Sequence, residues 1–123
     1  MTSQQVSYDI YKPFGPSVLK SSVPQAGIDL INKIADDILR DKKKRKDYDY
    51  SHNLAGNTKY EVGLPLKDVP SVELLINKLA SEYVTKTVKD YIDLEKTHMS
   101  YTAWLVSQYA GDFNPLHIHD ANL

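Results

Sequence analysis

Two histidines near the end of the sequence, His117 and His119, have the spacing of a paired metal site. Side chains of a β-strand alternate between its faces, so residues two positions apart point to the same side. Neutral imidazole is a ligand for iron, zinc, copper and nickel. Pro115 disfavours helix at Asn114, which predicts an extended segment from which both rings can reach one metal ion. Asp120 would point to the opposite face, so it is the weaker ligand candidate.

This histidine pair does not complete a metal site, because a catalytic metal usually takes about three protein ligands. The alternative is two unrelated histidines on a partly exposed strand, but the neighbouring Gly111 and Asn114-Pro115 favour a site. His52 lies in a segment rich in turn-forming residues, where a surface histidine is expected rather than a ligand. His98 belongs to no recognisable cluster.

A strand must lead into the histidines, and Tyr101–Tyr109 has the composition for it. Bulky side chains occupy both alternating faces of this run, which predicts a strand buried on both sides, as in a sandwich or barrel wall. The single tryptophan, Trp104, is then most simply a core residue. A second strand, ended by Pro65, is predicted at Lys59–Leu66.

The N-terminal half predicts a hairpin followed by a helix. Val6–Tyr11 and Ser17–Val23 have strand composition and flank the turn formers Pro13-Phe14-Gly15-Pro16. Apolar residues at three- and four-residue steps then indicate an amphipathic helix at about Gln25–Arg40. The basic run in Asp41–Asp47 either binds phosphate or ends that helix in solvent; the second is favoured, because cations complement the negative end of the helix dipole.

A stronger helix is predicted from Val72 to Tyr91, where apolar residues again fall on one helical face. Asp68 or Ser71 could cap its start, with Pro70 in the first turn. The stripe includes Tyr83 and Tyr91, which are therefore expected in the core. The residues that follow, Ile92–Ser100, are polar and predict a connector.

Composition excludes several functions. The 123 residues carry a formal net charge of −1, so neither nucleic acid nor an anionic membrane is an expected partner. There are no cysteines, which excludes disulfides, thiolate zinc sites and cysteine nucleophiles. Residues 1–5 lack the apolar core of a signal peptide, and no apolar run is long enough to span a bilayer. A soluble, cytoplasmic protein is expected.

The run from Trp104 to His119 resembles a family of iron(II)/2-oxoglutarate-dependent oxygenases, prolyl-hydroxylase-like proteins common in marine bacteria and their phages. Phe14-Gly15-Pro16, Ile31-Asn32 and Tyr50–Gly56 are similar to the N-terminal part of that family. The resemblance implies an α+β fold with N-terminal helices and the first strands of a double-stranded β-helix, or jelly roll, incomplete at the C-terminus.

The same resemblance implies roles for three residues. His117 matches the first histidine ligand, and His119 occupies the place where the wider superfamily has a carboxylate. Tyr109 is similar to the tyrosine that contacts 2-oxoglutarate. The implied cofactors are iron(II) and 2-oxoglutarate, a small-molecule co-substrate that is oxidised to succinate and CO₂ as a C–H bond is hydroxylated. The resemblance does not indicate the prime substrate.

The distal histidine and the basic residue that binds 2-oxoglutarate would lie downstream in that family. The expectation is therefore a single-domain fragment over residues 1–123, without turnover by itself. Residues 1–100 would be its helical and strand N-terminal part, and residues 101–123 would begin the β-helix core with the metal motif. Two alternatives remain open. Gly111, His117 and His119 also match the start of the cupin motif, and a non-catalytic binding domain would contain the histidines only incidentally.

Overall fold

The computed structural model describes residues 6–117, which form an α+β arrangement with two separate, two-stranded antiparallel sheets. The α+β class predicted from the sequence is thus observed, while the jelly roll remains a prediction. The helices and strands of the described residues are β1 (Tyr8–Tyr11), β2 (Val18–Ser21), α1 (Gln25–Arg40), α2 (Lys42–Asp47), β3 (Tyr60–Gly63), α3 (Pro70–Thr87) and β4 (Trp104–Ser107).

The chain divides into two compact units, and helix α1 runs from one into the other. Among the described residues, the first unit comprises 6–30 and 66–101, and the second comprises 31–65 and 102–117. Within residues 6–117, no helix has both the length and the apolar character that crossing a membrane requires.

The first unit contains the predicted N-terminal hairpin. Strands β1 and β2 pair antiparallel, with Tyr8 opposite Ser21 and Tyr11 opposite Val18. The connecting turn contains Gly15 at φ +122°, a backbone conformation that glycine adopts without the strain a Cβ would cause. Turn formers between two strand-like runs therefore predicted this hairpin correctly.

Helix α3 of the first unit makes polar contacts with the strands and their turn. The Tyr83 hydroxyl donates to the Ser17 carbonyl at 2.8 Å, and the Tyr8 hydroxyl donates to Glu82 Oε2 at 2.8 Å. Val69 and Val72, at the start of α3, are buried. Apolar side chains of α3 and one residue of β2 border a common groove: Leu19, Ile76, Leu79, Ala80, Tyr83 and Val84.

Helix α1 has the predicted bounds, and α3 has Pro70 in its first turn as predicted, but its N-cap and its C-terminal end differ from the prediction. Val69 occupies the N-cap without a side-chain hydrogen bond, so neither proposed polar cap forms. The helix ends at Thr87, and Tyr91 lies beyond it with 85% of its surface exposed. Tyr91 is therefore not a core residue. β-branched residues such as Thr87 and Val88 weaken a helix without interrupting its apolar periodicity, which explains the error.

The basic run forms its own short helix, α2, and does not extend α1. Asp41 Oδ1 accepts hydrogen bonds from the backbone N–H groups of Lys43 and Lys44, at 2.8 and 3.0 Å, and this capping lowers the pKa of Asp41. The Lys44 ammonium pairs with Asp37 at 2.5 Å, which raises the pKa of Lys44. Arg45 donates to the Leu39 carbonyl near the end of α1. No residue of α2 is buried, so the run is solvated as expected.

In the second unit, β3 and β4 pair antiparallel, with Tyr60 opposite Ser107 and Gly63 opposite Trp104. Ile38 and Val62 are its buried apolar residues within the described range. Strand β4 is shorter than predicted and is not buried on both faces, because β3 is its only neighbouring strand among the described residues. Trp104 is 38% exposed, so the prediction of a core tryptophan is wrong.

Candidate functional site

The segment that follows β4 begins with a tight turn at Tyr109–Asp112. The Asp112 N–H donates to the Tyr109 carbonyl at 3.0 Å, and Gly111 adopts φ +94° between them. The Asp112 side chain returns to the backbone: its Oδ2 accepts from the N–H of Tyr109 at 2.9 Å and from the N–H of Lys59 at 3.1 Å. One carboxylate oxygen thus links this turn to the residue before β3.

Backbone pairing continues one step beyond the turn. Asn57 and Phe113 form an antiparallel bridge, in which the Asn57 N–H donates to the Phe113 carbonyl at 2.8 Å and the reverse bond measures 3.3 Å. The chain that enters Asn114 and Pro115 is therefore held against the segment that leads into β3.

His117 follows this bridge, and its imidazole Nδ1 lies 2.7 Å from the Pro115 carbonyl oxygen. A carbonyl oxygen can only accept a hydrogen bond, so Nδ1 is the donor in this contact; in a neutral imidazole the electron-pair donor is then Nε2. A backbone carbonyl on Nδ1 is the usual way in which proteins orient a histidine that binds metal through its other nitrogen. The donor chemistry of His117 thus fits a metal ligand.

The strand expected to carry both histidines is not present at residues 114–117, where the backbone bends at Leu116. Pro115 lacks an N–H group and cannot take part fully in a strand ladder. His119 and Asp120 lie outside the described residues. Within residues 6–117, no three His, Cys, Asp or Glu side chains come together as a set that could hold a metal ion. Of the residues singled out as metal ligands, His117 is the one that lies in the described part of the chain.

Tyr109 is 55% exposed, so its phenol is accessible to a small molecule. The Lys59 ammonium lies 4.9 Å from the centre of the Tyr109 ring and 5.4 Å from that of Tyr60. Arg45 is placed 5.0 Å from the centre of the Tyr60 ring. Two cations and two phenols thus occupy one side of this unit, a combination that can bind a carboxylate through charge and hydroxyl donors.

His52 lies in a short 3-10 helix, Ser51–Asn53, and contacts its own neighbours. Its Nε2 is 3.0 Å from the Asn53 side-chain nitrogen, and its ring centre is 6.3 Å from that of Tyr50. Asp49 accepts from the Ser51 N–H at 3.0 Å, and hydrogen bonding by Ser51 lowers the pKa of Asp49. The prediction of a surface histidine agrees with this local arrangement.

Glu61 is the residue of this unit that the sequence did not single out. It is 3% exposed, although strand alternation gave no reason to bury a carboxylate. Its Oε1, together with Thr58 Oγ1, is buried without a hydrogen-bond partner among the described residues. Lys59 and Asp112 were also not identified, because both act through contacts between residues distant in sequence.

Comparisons of the chain with protein-family models, with curated proteins and with solved structures gave no match.

Proposed function

We propose that this chain carries part of the active site of an iron(II)/2-oxoglutarate-dependent dioxygenase of the hydroxylase type. His117 and His119 are the proposed metal ligands, and Tyr109 is the proposed contact for 2-oxoglutarate. Support comes from the resemblance over Trp104–His119 and from the local geometry of His117.

The observation that carries the proposal is the 2.7 Å contact between His117 Nδ1 and the Pro115 carbonyl. In a neutral imidazole this contact favours the tautomer in which Nε2 is the electron-pair donor, as a histidine ligand to a metal requires. Pro115 has a fixed φ, so the carbonyl that accepts this proton is itself well placed. When bound, iron(II) would supply the activation of O₂ that couples oxidation of 2-oxoglutarate to hydroxylation of a C–H bond.

Tyr109 and Lys59 are suited to bind the dianionic co-substrate. The Tyr109 hydroxyl is a donor, and the nearby Lys59 ammonium supplies a positive charge. Asp112 places both residues by accepting their backbone N–H groups on one oxygen. These bonds hold the backbone of both residues, so the ammonium and the phenol extend from neighbouring, restrained positions.

The test is a titration of the chain with iron(II) or cobalt(II) without oxygen, followed by 2-oxoglutarate. Visible absorption reports metal binding, and its change on adding 2-oxoglutarate reports coordination of the co-substrate. We expect His117→Ala to abolish metal uptake and His98→Ala to preserve it, because His98 is an exposed histidine of the other unit. Equal uptake by both variants, or none by the wild type, would contradict the proposal.

A second measurement addresses the co-substrate. Succinate release, followed with and without oxygen, shows whether bound 2-oxoglutarate is turned over. Tyr109→Phe is expected to weaken 2-oxoglutarate binding about tenfold, which corresponds to the loss of one hydrogen bond to a charged group. Metal binding in this variant should remain unchanged. A cupin-like metal protein would bind metal without responding to 2-oxoglutarate, and a non-catalytic domain would bind neither.

A further inference from the structure

Glu61 is a buried carboxylate with no donor at one of its oxygens. The residue is 3% exposed, and Oε1 has no partner within the described part of the chain. The backbone of Glu61 is fixed, because its carbonyl accepts from the Tyr50 N–H at 2.9 Å and it lies opposite Val106 in the β3–β4 ladder. Burying a charged oxygen without a hydrogen bond is unfavourable, so a donor is required beside it.

The space beside Oε1 is bordered by Gly56 and Asn114. A Cβ on Gly56 would lie 2.0 Å from Glu61 Oε1 and 2.4 Å from Asn114 Oδ1. Both oxygens therefore face the same small volume, which only a glycine leaves open. Two acceptors facing each other repel unless a hydrogen or a cation lies between them.

We propose that the Asn114 amide donates a hydrogen bond to Glu61 and that this bond positions His117. A half-turn of the amide about χ2 exchanges its oxygen and nitrogen without changing the side-chain shape, and it brings N–H donors to Oε1. Asn114 is exposed, so the packing allows this rotation. An N–H donor beside Oε1 satisfies the buried oxygen.

The bond would act on His117 through the intervening backbone. Asn114 directly precedes Pro115, whose carbonyl oxygen meets His117 Nδ1 at 2.7 Å. Phe113, on the other side of Asn114, is already held by its bridge to Asn57. Anchoring the Asn114 side chain therefore restrains the one residue between the bridge and the proline. Glu61 is a positioning residue in this proposal, and its importance for a metal rests on the proposed function of His117.

Reciprocal substitution of the pair tests the bond. Asn114→Asp places a second carboxylate against Glu61, and we expect the unfolding temperature of the full chain to fall by roughly 5–10 °C. Adding Glu61→Gln to that variant restores a donor opposite an acceptor, so the double variant should return to within about 2 °C of the wild type. Asn32→Asp is the matched control, because Asn32 is an exposed asparagine on α1. A double variant as unstable as Asn114→Asp would overturn the proposal.

A cation between the two oxygens predicts the opposite pattern. In that case Ca²⁺ or Mg²⁺ would stabilise the wild type relative to EDTA, and Asn114→Asp would bind the cation more tightly. That result would also overturn the proposal. All unfolding measurements are therefore made both in EDTA and with each cation added.

The effect of the bond on the His117 ring is measured by NMR in the absence of metal. Long-range ¹⁵N NMR spectra distinguish a histidine protonated on Nδ1 from one protonated on Nε2. We expect the Nδ1–H form of His117 in the wild type, loss of that form in Asn114→Asp, and recovery in the double variant. If Asn114→Asp is destabilised but its His117 spectrum is unchanged, Glu61 does not position His117, and that part of the proposal is wrong. Because no metal is needed, this result is independent of the metal titration that tests the proposed function.

Discussion

The ring of Tyr50 stacks on the indole of Trp104, with ring centres 5.8 Å apart and planes 20° from parallel. The Tyr50 N–H also donates to the Glu61 carbonyl, so this residue contacts both strands of the second unit. The stack explains how Trp104 can be 38% exposed and still contribute to stability, because the Tyr50 ring packs against its indole.

Removing the Tyr50 ring should be detectable at Trp104. We expect Tyr50→Leu to lower the free energy of unfolding by about 0.5–1.5 kcal/mol beyond the loss of buried area, and to shift tryptophan emission to longer wavelength. Trp104 is the only tryptophan, so the emission reports this site alone. Urea unfolding gives the stability change, and Tyr91→Leu serves as a control at an exposed tyrosine. An unchanged emission spectrum in Tyr50→Leu would contradict the stacking.

Gly56 should not tolerate a methyl group. Its Cβ would lie 2.0 Å from Glu61 Oε1, and we expect Gly56→Ala to destabilise the chain by about 1–3 kcal/mol, as overpacking does. Gly63→Ala is the matched control in the same unit, because its Cβ would meet only the Tyr48 carbonyl at 3.7 Å. Its effect should stay within about 0.5 kcal/mol. Equal stabilities of the two variants in thermal unfolding would refute the close approach at Gly56.

Asp112 should stabilise the turn before His117 through its acceptor oxygen. In Asp112→Ala the N–H groups of Lys59 and Tyr109 lose their common acceptor, which should cost about 1–2 kcal/mol and accelerate amide hydrogen exchange at both residues. Asp112→Asn keeps an oxygen in place and should lie close to the wild type. Hydrogen exchange followed by NMR checks both outcomes; faster exchange in the Asn variant than in the Ala variant would be inconsistent with this role.

Acid should weaken the first unit through Glu82. Hydrogen bonds from Tyr8 and Lys86 lower the pKa of Glu82 in the folded chain. The stabilisation that Glu82 provides is therefore complete above the ordinary glutamate pKa, near 4.3, and is lost as pH falls through the lower folded-state pKa. Contacts with Tyr8 and Glu82 raise the pKa of Lys86 in the folded chain. The stabilisation that Lys86 provides is therefore complete below the ordinary lysine pKa and is lost as pH rises through the raised folded-state pKa.

The variant that tests this pair is Tyr8→Phe. It should reduce the loss of stability between neutral pH and about pH 3, because the hydroxyl that favours the charged Glu82 is gone. Thermal unfolding at a series of pH values measures the effect, with Tyr91→Phe as the control for removing a hydroxyl. If Tyr8→Phe and the wild type lose stability in parallel on acidification, the contact does not contribute in solution.

Local sequence determined the elements whose causes are local. The apolar stripe located α1, and turn formers between two strand-like runs predicted the β1–β2 hairpin. The same reasoning failed at the end of α3 and at Trp104. Periodicity reports which face of an element is apolar; it does not report where a helix ends or whether a second sheet covers a strand.

In the candidate site, too, some features follow from local sequence and others only from the folded structure. The sequence identified His117 and Tyr109, because a histidine pair and a tyrosine at family-like spacing are visible without a fold. Only the structure showed that Asp112 joins Tyr109 to Lys59, that the Pro115 carbonyl contacts His117 Nδ1, and that a glutamate of β3 is buried. Pairing between distant segments determines the Asp112–Lys59 contact and the burial of Glu61, and residue type and spacing do not indicate that pairing.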